Sequence, residues 1–364
     1  MKKRTLAALL CAVLLLGGCS GLLNREYSLV TVHSAAPTVD SDQLTIRVES
    51  YQDLVNALIY FINQGQETGT IRLYNYPYDV ELDLEGACAE VSQEDPVGAY
   101  AVASIRCSVT PIVSCYEANI QIDYRRTPEQ VAAVIPVTGA SAIRTQLREA
   151  LAAYREEIVL RLSYFDGDEE YLQALLREAY CSTPETALDF PRASVRFYPE
   201  DGRQRIAEIT FAYQLSRTDL AQRRQELDRL AGQISNQVWD ALGDEGLLSV
   251  RQAILETAEY DPEGGSTAYH ALAEHRADSL GLAMAMSLLC RRLEFPCLIV
   301  EGTVDGTPHC WNIVSTQSGY RHLDLSRPPE TEGVPPFRSD RDMFQAGFRW
   351  DSSATPLCGE QPEV

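Results

Sequence analysis

Asp278-Ser279-Leu280-Gly281-Leu282-Ala283 opens a run that stays almost wholly apolar to Leu293. A run of that length without a polar face predicts a helix buried on every side, with Ser279 in its first turn. The free N–H groups and positive dipole end at a helix N-terminus stabilise an anion placed there. Gly281 lets backbone or a bound group come close. A hydroxyl, which ionises far less readily than a thiol, therefore stands where the field of the helix is strongest.

Three short strands follow, Cys297 to Val300, Cys310 to Val314 and Tyr320 to Leu325, separated by the turn signals Asp305-Gly306 and Ser318-Gly319. A regular hairpin about Thr316-Gln317 pairs residues whose numbers sum to 633, which sets His309 opposite Asp324. Directly opposed side chains have β-carbons ~4.5–5.5 Å apart, so the carboxylate can accept from one imidazole nitrogen and fix its tautomer. Ser279, His309 and Asp324 are the candidate catalytic residues. Gly281, Trp311 and Asn312 are expected around the same cleft. None of the neighbouring cysteines is placed to supply a thiol. Cys290 is eleven residues down the helix, ~16 Å away at 1.5 Å per residue, and Cys310 points to the strand face opposite His309.

Together these residues resemble the transglutaminase-like superfamily, a papain-related group. Its pattern is a helix-initiating Cys-x-Gly-aromatic-Ala, a His-aliphatic-Trp-Asn strand and a strand carrying Asp. Here it reads Ser279-Leu280-Gly281-Leu282-Ala283, His309-Cys310-Trp311-Asn312 and Leu323-Asp324-Leu325. Tyr260-Asp261, Thr267 to Leu272 and the tail Phe337-Arg338-Ser339-Asp340 through Trp350 extend the likeness, which covers roughly 246–358. The resemblance implies an α+β fold with the nucleophile's helix packed on an antiparallel sheet that carries His and Asp. It implies acyl transfer from glutamine or peptide bonds to amines or water, with no cofactor. The departure falls on the nucleophile, where Ser279 replaces the thiol. The expected function is an inactive domain that binds an envelope peptide, glycan or protein. One alternative is a hydrolase or acyltransferase using Ser279, His309 and Asp324 as a serine triad, and another is a plain scaffold.

Lys2, Lys3 and Arg4 precede a short apolar stretch, Thr5 to Leu16, and then Leu16-Gly17-Gly18-Cys19. This order resembles a bacterial lipoprotein signal over 1–18, cut before Cys19, whose thiol carries the lipid. The expectation is a chain lipid-anchored to the bacterial membrane, outside the cytoplasm. Removing three of the 31 basic residues leaves 28 against 52 acidic, a net charge of −24, and all 28 are arginine. So acidic a chain repels nucleic acid. Of ten cysteines, Cys11 and Cys19 belong to the leader and its cut site. No C-x-x-C or zinc spacing occurs, so no metal site is expected. Cys107 and Cys115 flank Thr110-Pro111 in a predicted hairpin, as a cross-strand disulfide or as two buried thiols.

Residues 19–43 read as a tether, 44–243 as an α+β region, 244–330 as the transglutaminase-like core and 331–364 as a tail on that core. Within 44–243 a duplication is expected. Leu44 to Val48 and the helix Asp53 to Asn63 match Ile158 to Leu162 and Glu169 to Ala179. The hairpin opening at Ala103 matches the one opening at Ala193. That alignment needs an insertion of about 24 residues in the first copy.

Overall fold

The structure, a computed structural model, describes residues 38–39, 45–240, 242–326 and 335–359. The leader, Cys19 and most of the tether lie outside the described residues. The chain divides into two compact units, one of residues up to 91 with 104–123, the other of 92–103 with 124 onward.

The first unit is built on β1 (Thr38–Val39), β2 (Thr45–Val48), α1 (Tyr51–Asn63), β3 (Thr68–Leu73) and α2 (Val80–Gln93). After α3 (Pro96–Ala101), which belongs to the second unit, it resumes with β4 (Val102–Ile112) and β5 (Cys115–Tyr124). The five strands form one sheet in the order β1-β2-β3-β5-β4. Ser50 caps α1 by accepting from the Asp53 N–H, and the helix buries Leu54, Val55, Leu58, Phe61 and Ile62. Gly69 interrupts β3 because the Phe61 ring lies on it: an added β-carbon would sit 2.5 Å from that ring. The buried positions of α2 are Val80, Leu84, Ala87, Cys88 and Val91, a single stripe at helical spacing.

The second unit continues with α4 (Pro128–Ala132), β6 (Ile135–Thr138), α5 (Gly139–Ala152), β7 (Glu157–Ser163), α6 (Glu169–Cys181), β8 (Arg192–Tyr198), β9 (Gln204–Ala212) and α7 (Arg217–Val238). Its sheet runs β6-β7-β9-β8, with β6 parallel to β7 and the other pairs antiparallel. That is the order and sense of β2-β3-β5-β4 in the first unit. The duplication is therefore real, but its alignment differs from the one read in the sequence. The strands begin at 45, 68, 102 and 115 in one copy and at 135, 157, 192 and 204 in the other, so each starts 89 or 90 residues after its counterpart. No insertion is needed. Val159-Leu160-Arg161-Leu162 corresponds to Thr70-Ile71-Arg72-Leu73, not to the similar Thr45-Ile46-Arg47-Val48 one strand earlier.

The remaining elements are α8 (Gly243–Thr257), β10 (Glu259–Gly265), α9 (Ala268–Leu272), β11 (Arg276–Ala277), α10 (Ser279–Arg292), β12 (Cys297–Val304), β13 (Thr307–Thr316), β14 (Gly319–Leu323), α11 (Asp340–Gln345) and β15 (Phe348–Trp350). The antiparallel sheet β14-β13-β12-β15 is the frame of the site. Asp305 and Gly306, both at positive φ (51° and 83°), make the tight turn between β12 and β13. One core runs from Val137 through α7, α8 and α10 to Leu325 and Phe337, so the second copy and the sheet share their apolar interior across position 243.

The turn of the β4–β5 hairpin lies at Val113-Ser114 rather than Thr110-Pro111. Cys107 is therefore well inside β4 while Cys115 opens β5, and the two are not cross-strand partners.

Candidate active site

Helix α10 is capped by Asp278, whose carboxylate accepts from the Gly281 N–H at 2.8 Å and from the Ser266 hydroxyl. Every residue from Leu280 to Cys290 is buried, which is why the run carries no polar face. Gly281 is where this helix meets the β10–α9 turn. A β-carbon there would lie 2.6 Å from the Gly265 carbonyl oxygen and 2.8 Å from the Ala277 β-carbon. The close approach is made by backbone, and backbone cannot swing aside. Gly281→Ala is therefore expected to destabilise the fold by about 1–3 kcal/mol through overpacking, read as a lowered urea midpoint. A midpoint equal to wild type would show that the turn yields freely.

Ser279, half-buried, accepts from the Cys310 backbone N–H at 3.1 Å. This joins the start of the helix to the strand that carries His309. Among the described residues Ser279 makes no hydrogen bond to His309 itself. The Asp278 carboxylate beside it opposes the build-up of negative charge that the helix N-terminus would otherwise favour.

His309 and Asp324 do meet, although not in the predicted register. The β13–β14 ladder pairs Asn312 with Leu323 and Thr316 with Gly319, so paired numbers sum to 635 rather than 633. The ladder ends at Leu323, so Asp324 and Ser326 lie just beyond β14. A shift of two residues preserves which side chains share a face, and Asp324 reaches His309 from just past the end of β14. Nε2 of His309 lies 3.3 Å from both Asp324 carboxylate oxygens and 3.0 Å from the Ser326 hydroxyl oxygen. The Ser326 hydroxyl lies 2.7 Å from Asp324 Oδ1, and its backbone N–H donates to the same oxygen at 3.0 Å. All three residues are buried. Burial pushes the Asp324 carboxyl up, but the bonds from His309 and Ser326 outweigh it and hold the group below the usual range. Ser326 escaped the sequence reading. Its signal was a hydroxyl two residues beyond Asp324.

Trp311 and Asn312 lie on opposite faces of β13. Trp311 belongs to a small core with Val300, Ile313, Met343, Phe348 and Cys358, and its ring stacks near His309 at 6.3 Å between centroids. Asn312 donates to the Ala283 carbonyl at 3.0 Å and so ties the strand to α10.

Beyond Trp311 is a second imidazole–carboxylate pair. Trp311 Nε1–H donates to His322 Nδ1 at 2.9 Å, and His322 Nε2 is 2.8 Å from Asp340 Oδ1. The Cys358 N–H donates to the other Asp340 oxygen at 3.1 Å. His322, Asp340 and Cys358 thereby bring three metal-type donor atoms within 4.8 Å of one another. The tautomer argues against an ion there. Because Nδ1 accepts from Trp311, the ring proton sits on Nε2 and is given to Asp340, so no lone pair on that nitrogen faces the cluster.

Burial lowers the His322 pKa, and Asp340 offsets this only in part. Above pH ~6.5 the ring is neutral folded or unfolded; below it the unfolded chain takes the proton first, so stability falls as pH drops toward the folded value. The Asp324 contribution is present above pH ~3.9 and is lost as pH falls through its own, lower folded value. Urea midpoints measured from pH 7.5 downward should decline in two stages, and a flat profile from 6.5 to 5 would contradict the first.

A family model for the transglutaminase-like superfamily matches residues 228–325, from within α7 to just past Asp324. The chain contains a transglutaminase-like domain. Solved structures similar to the chain include a TGase, at 13% identity over 64% of this chain and 67% of that one, with a TM-score of 0.27. A candidate cysteine protease from Cytophaga hutchinsonii aligns at 12% identity over 38% of this chain and 62% of that one, TM-score 0.25. A candidate protease from Parabacteroides distasonis aligns at 7% identity over 74% and 44%, TM-score 0.21. No curated protein matches the chain. At such TM-scores the structural likenesses are weak, and the family match carries the assignment. The transglutaminase-like domain is α+β, with its helix on the antiparallel sheet, as the sequence implied.

Proposed function

We propose that the protein is a lipid-anchored component of the bacterial cell envelope whose transglutaminase-like domain is catalytically silent and serves as a binding module. Its partner would be an envelope peptide, glycan or protein. The observation that carries the silent reading is the engagement of Ser279. Its hydroxyl accepts from the Cys310 N–H, while the ring nitrogen of His309 that is hydrogen-bonded is turned to Asp324 and Ser326. A serine nucleophile needs a base in hydrogen-bond reach of its own proton, and its intrinsic acidity is too low to do without one. The leader ending at Gly17-Gly18, directly before Cys19, supports the anchor.

A fluorophosphonate probe tests the silent reading. The purified protein is expected to remain unlabelled from pH 6 to 9. Labelling that disappears in Ser279→Ala would establish the serine hydrolase in its place. Incorporation of labelled palmitate in a bacterial host, lost in Cys19→Ser, tests the anchor, and incorporation unchanged by that substitution would remove it. Capture of envelope peptides or glycans by the ectodomain, abolished by substitutions around Ser279, tests the binding role against a plain scaffold.

A further inference from the structure

Among the described residues of the first unit, the large apolar side chains that stand exposed are Tyr78, Leu82, Ile112, Val113 and Tyr116. The ladder sets them at one end of the sheet. Val48 of β2 pairs with Leu73 of β3, and Leu73 pairs with Tyr116 of β5, so these three residues mark a common end. The β4–β5 turn at Val113-Ser114 projects beyond it, with Val113 fully exposed. The β3–α2 connection leaves Leu73 at the same end and carries Tyr78 and, in the first turn of α2, Leu82. There the Tyr76 hydroxyl donates to Asp83 at 2.8 Å, and its ring packs edge-on against Tyr78 and supports it. From Cys107 to Tyr116 the hairpin has no charged residue, in a chain of which 23% is charged. An uncharged apolar turn in so charged a chain marks a contact surface.

The chain enters the sheet from that same end. Thr38 pairs with Arg47 and Val39 with Ile46, antiparallel, so β1 runs away from the level of Val48 and its N-terminal side faces the end where the turn projects. Thr38 is nineteen residues on from Cys19, a reach of at most ~65 Å. We infer that the β4–β5 turn is a membrane-contact site that seats Ile112 and Val113 in the lipid surface, an inference that rests on the lipid-anchor reading above. Anchor and turn lie off one end of the sheet, so the bilayer that holds the lipid is the surface the turn meets. The aliphatic pair enters the acyl boundary, while Tyr78 and Tyr116, apolar rings with a polar tip, stay at the headgroup level. So small a contact is weak alone, and the tether raises it to an effective concentration in roughly the millimolar range. Asp79 and Glu81 at the same end repel anionic headgroups, so zwitterionic lipid is the matching surface.

The full chain carrying Val113→Trp, produced in a bacterial host and reconstituted with phosphatidylcholine vesicles, reports the contact; an exposed turn position tolerates the change. The emission of the added indole is expected to shift to the blue and to fall about twofold or more with bromine-labelled acyl chains, beyond the quenching of the parent chain. Adding Cys19→Ser should raise the lipid concentration needed for the same quenching about tenfold or more. A chain that incorporates labelled palmitate and sits on the vesicles, yet leaves the added indole unquenched, overturns the inference while the anchor stands. A chain that takes no palmitate removes the anchor, and the turn is then tested by co-sedimentation of the unlipidated chain with the same vesicles. A severalfold loss of that binding in Val113→Asp supports the lipid contact, and binding that is absent or unchanged overturns it. Self-association in vesicle-free solution that Val113→Asp abolishes would assign the turn to a second copy of the chain and overturn it as well.

Discussion

Ser279→Cys is expected to yield one thiol that alkylates about tenfold faster at pH 7 than a free cysteine, whose pKa of ~8.5 leaves only a few per cent ionised. The sulfur would accept the Cys310 N–H that the hydroxyl now accepts, at the start of a fourteen-residue helix. Both favour the thiolate, and the Asp278 carboxylate opposes it without cancelling them. The background is favourable, because burial pushes the thiols of Cys88, Cys310 and Cys358 up to about 12 and keeps them silent at this pH. Adding His309→Ala separates the helix from the histidine. Loss of most of the gain would show that the imidazole can still act on position 279, and retention would assign the gain to the helix and the Cys310 N–H. A Ser279→Cys thiol that reacts no faster than free cysteine would mean that the site has lost its polarising environment.

The largest stability loss is expected at Trp311. Its side chain is 1% exposed, it joins Val300, Ile313, Met343, Phe348 and Cys358, and it donates to His322. Truncating a buried Trp to Ala costs about 3–5 kcal/mol, and stranding the buried Nδ1 acceptor adds about 1–3 kcal/mol. Trp311→Ala should therefore cost about 4 kcal/mol or more by urea denaturation followed by circular dichroism. Trp311→Phe isolates the polar part: it keeps most of the ring and is expected to cost about 1–3 kcal/mol. A Phe variant as stable as wild type would show that the Trp311–His322 bond contributes nothing net.

The site was legible in the sequence where its residues are read by face rather than by register. The apolar run after Asp278 announced a buried helix because nothing in it could face water. His309 and Asp324 were brought together by a hairpin whose turn lies one residue further along than expected. The two-residue change in pairing kept both on one face, so the contact survived while Ser326 went unnoticed. The duplication shows the opposite case. Gly69 weakens the strand signal of β3 because its lack of a side chain accommodates Phe61, and Pro136 does the same for β6. With one strand of each copy hidden, the repeat was matched one strand out of step.

The chain leaves the first unit after residue 91, returns at 104 and leaves again at 123. A protease that nicks the segment between 91 and 104 would therefore cut the polypeptide without releasing its amino-terminal part. That part stays held by the antiparallel ladder from Thr68–Gln121 to Leu73–Tyr116, because the hairpin it pairs with is covalently continuous with the second unit. On the proposed N-terminal anchor, releasing the second unit by cleavage between the units would then require a second cut near 123 or unfolding. A nicked sample should separate only under denaturing conditions.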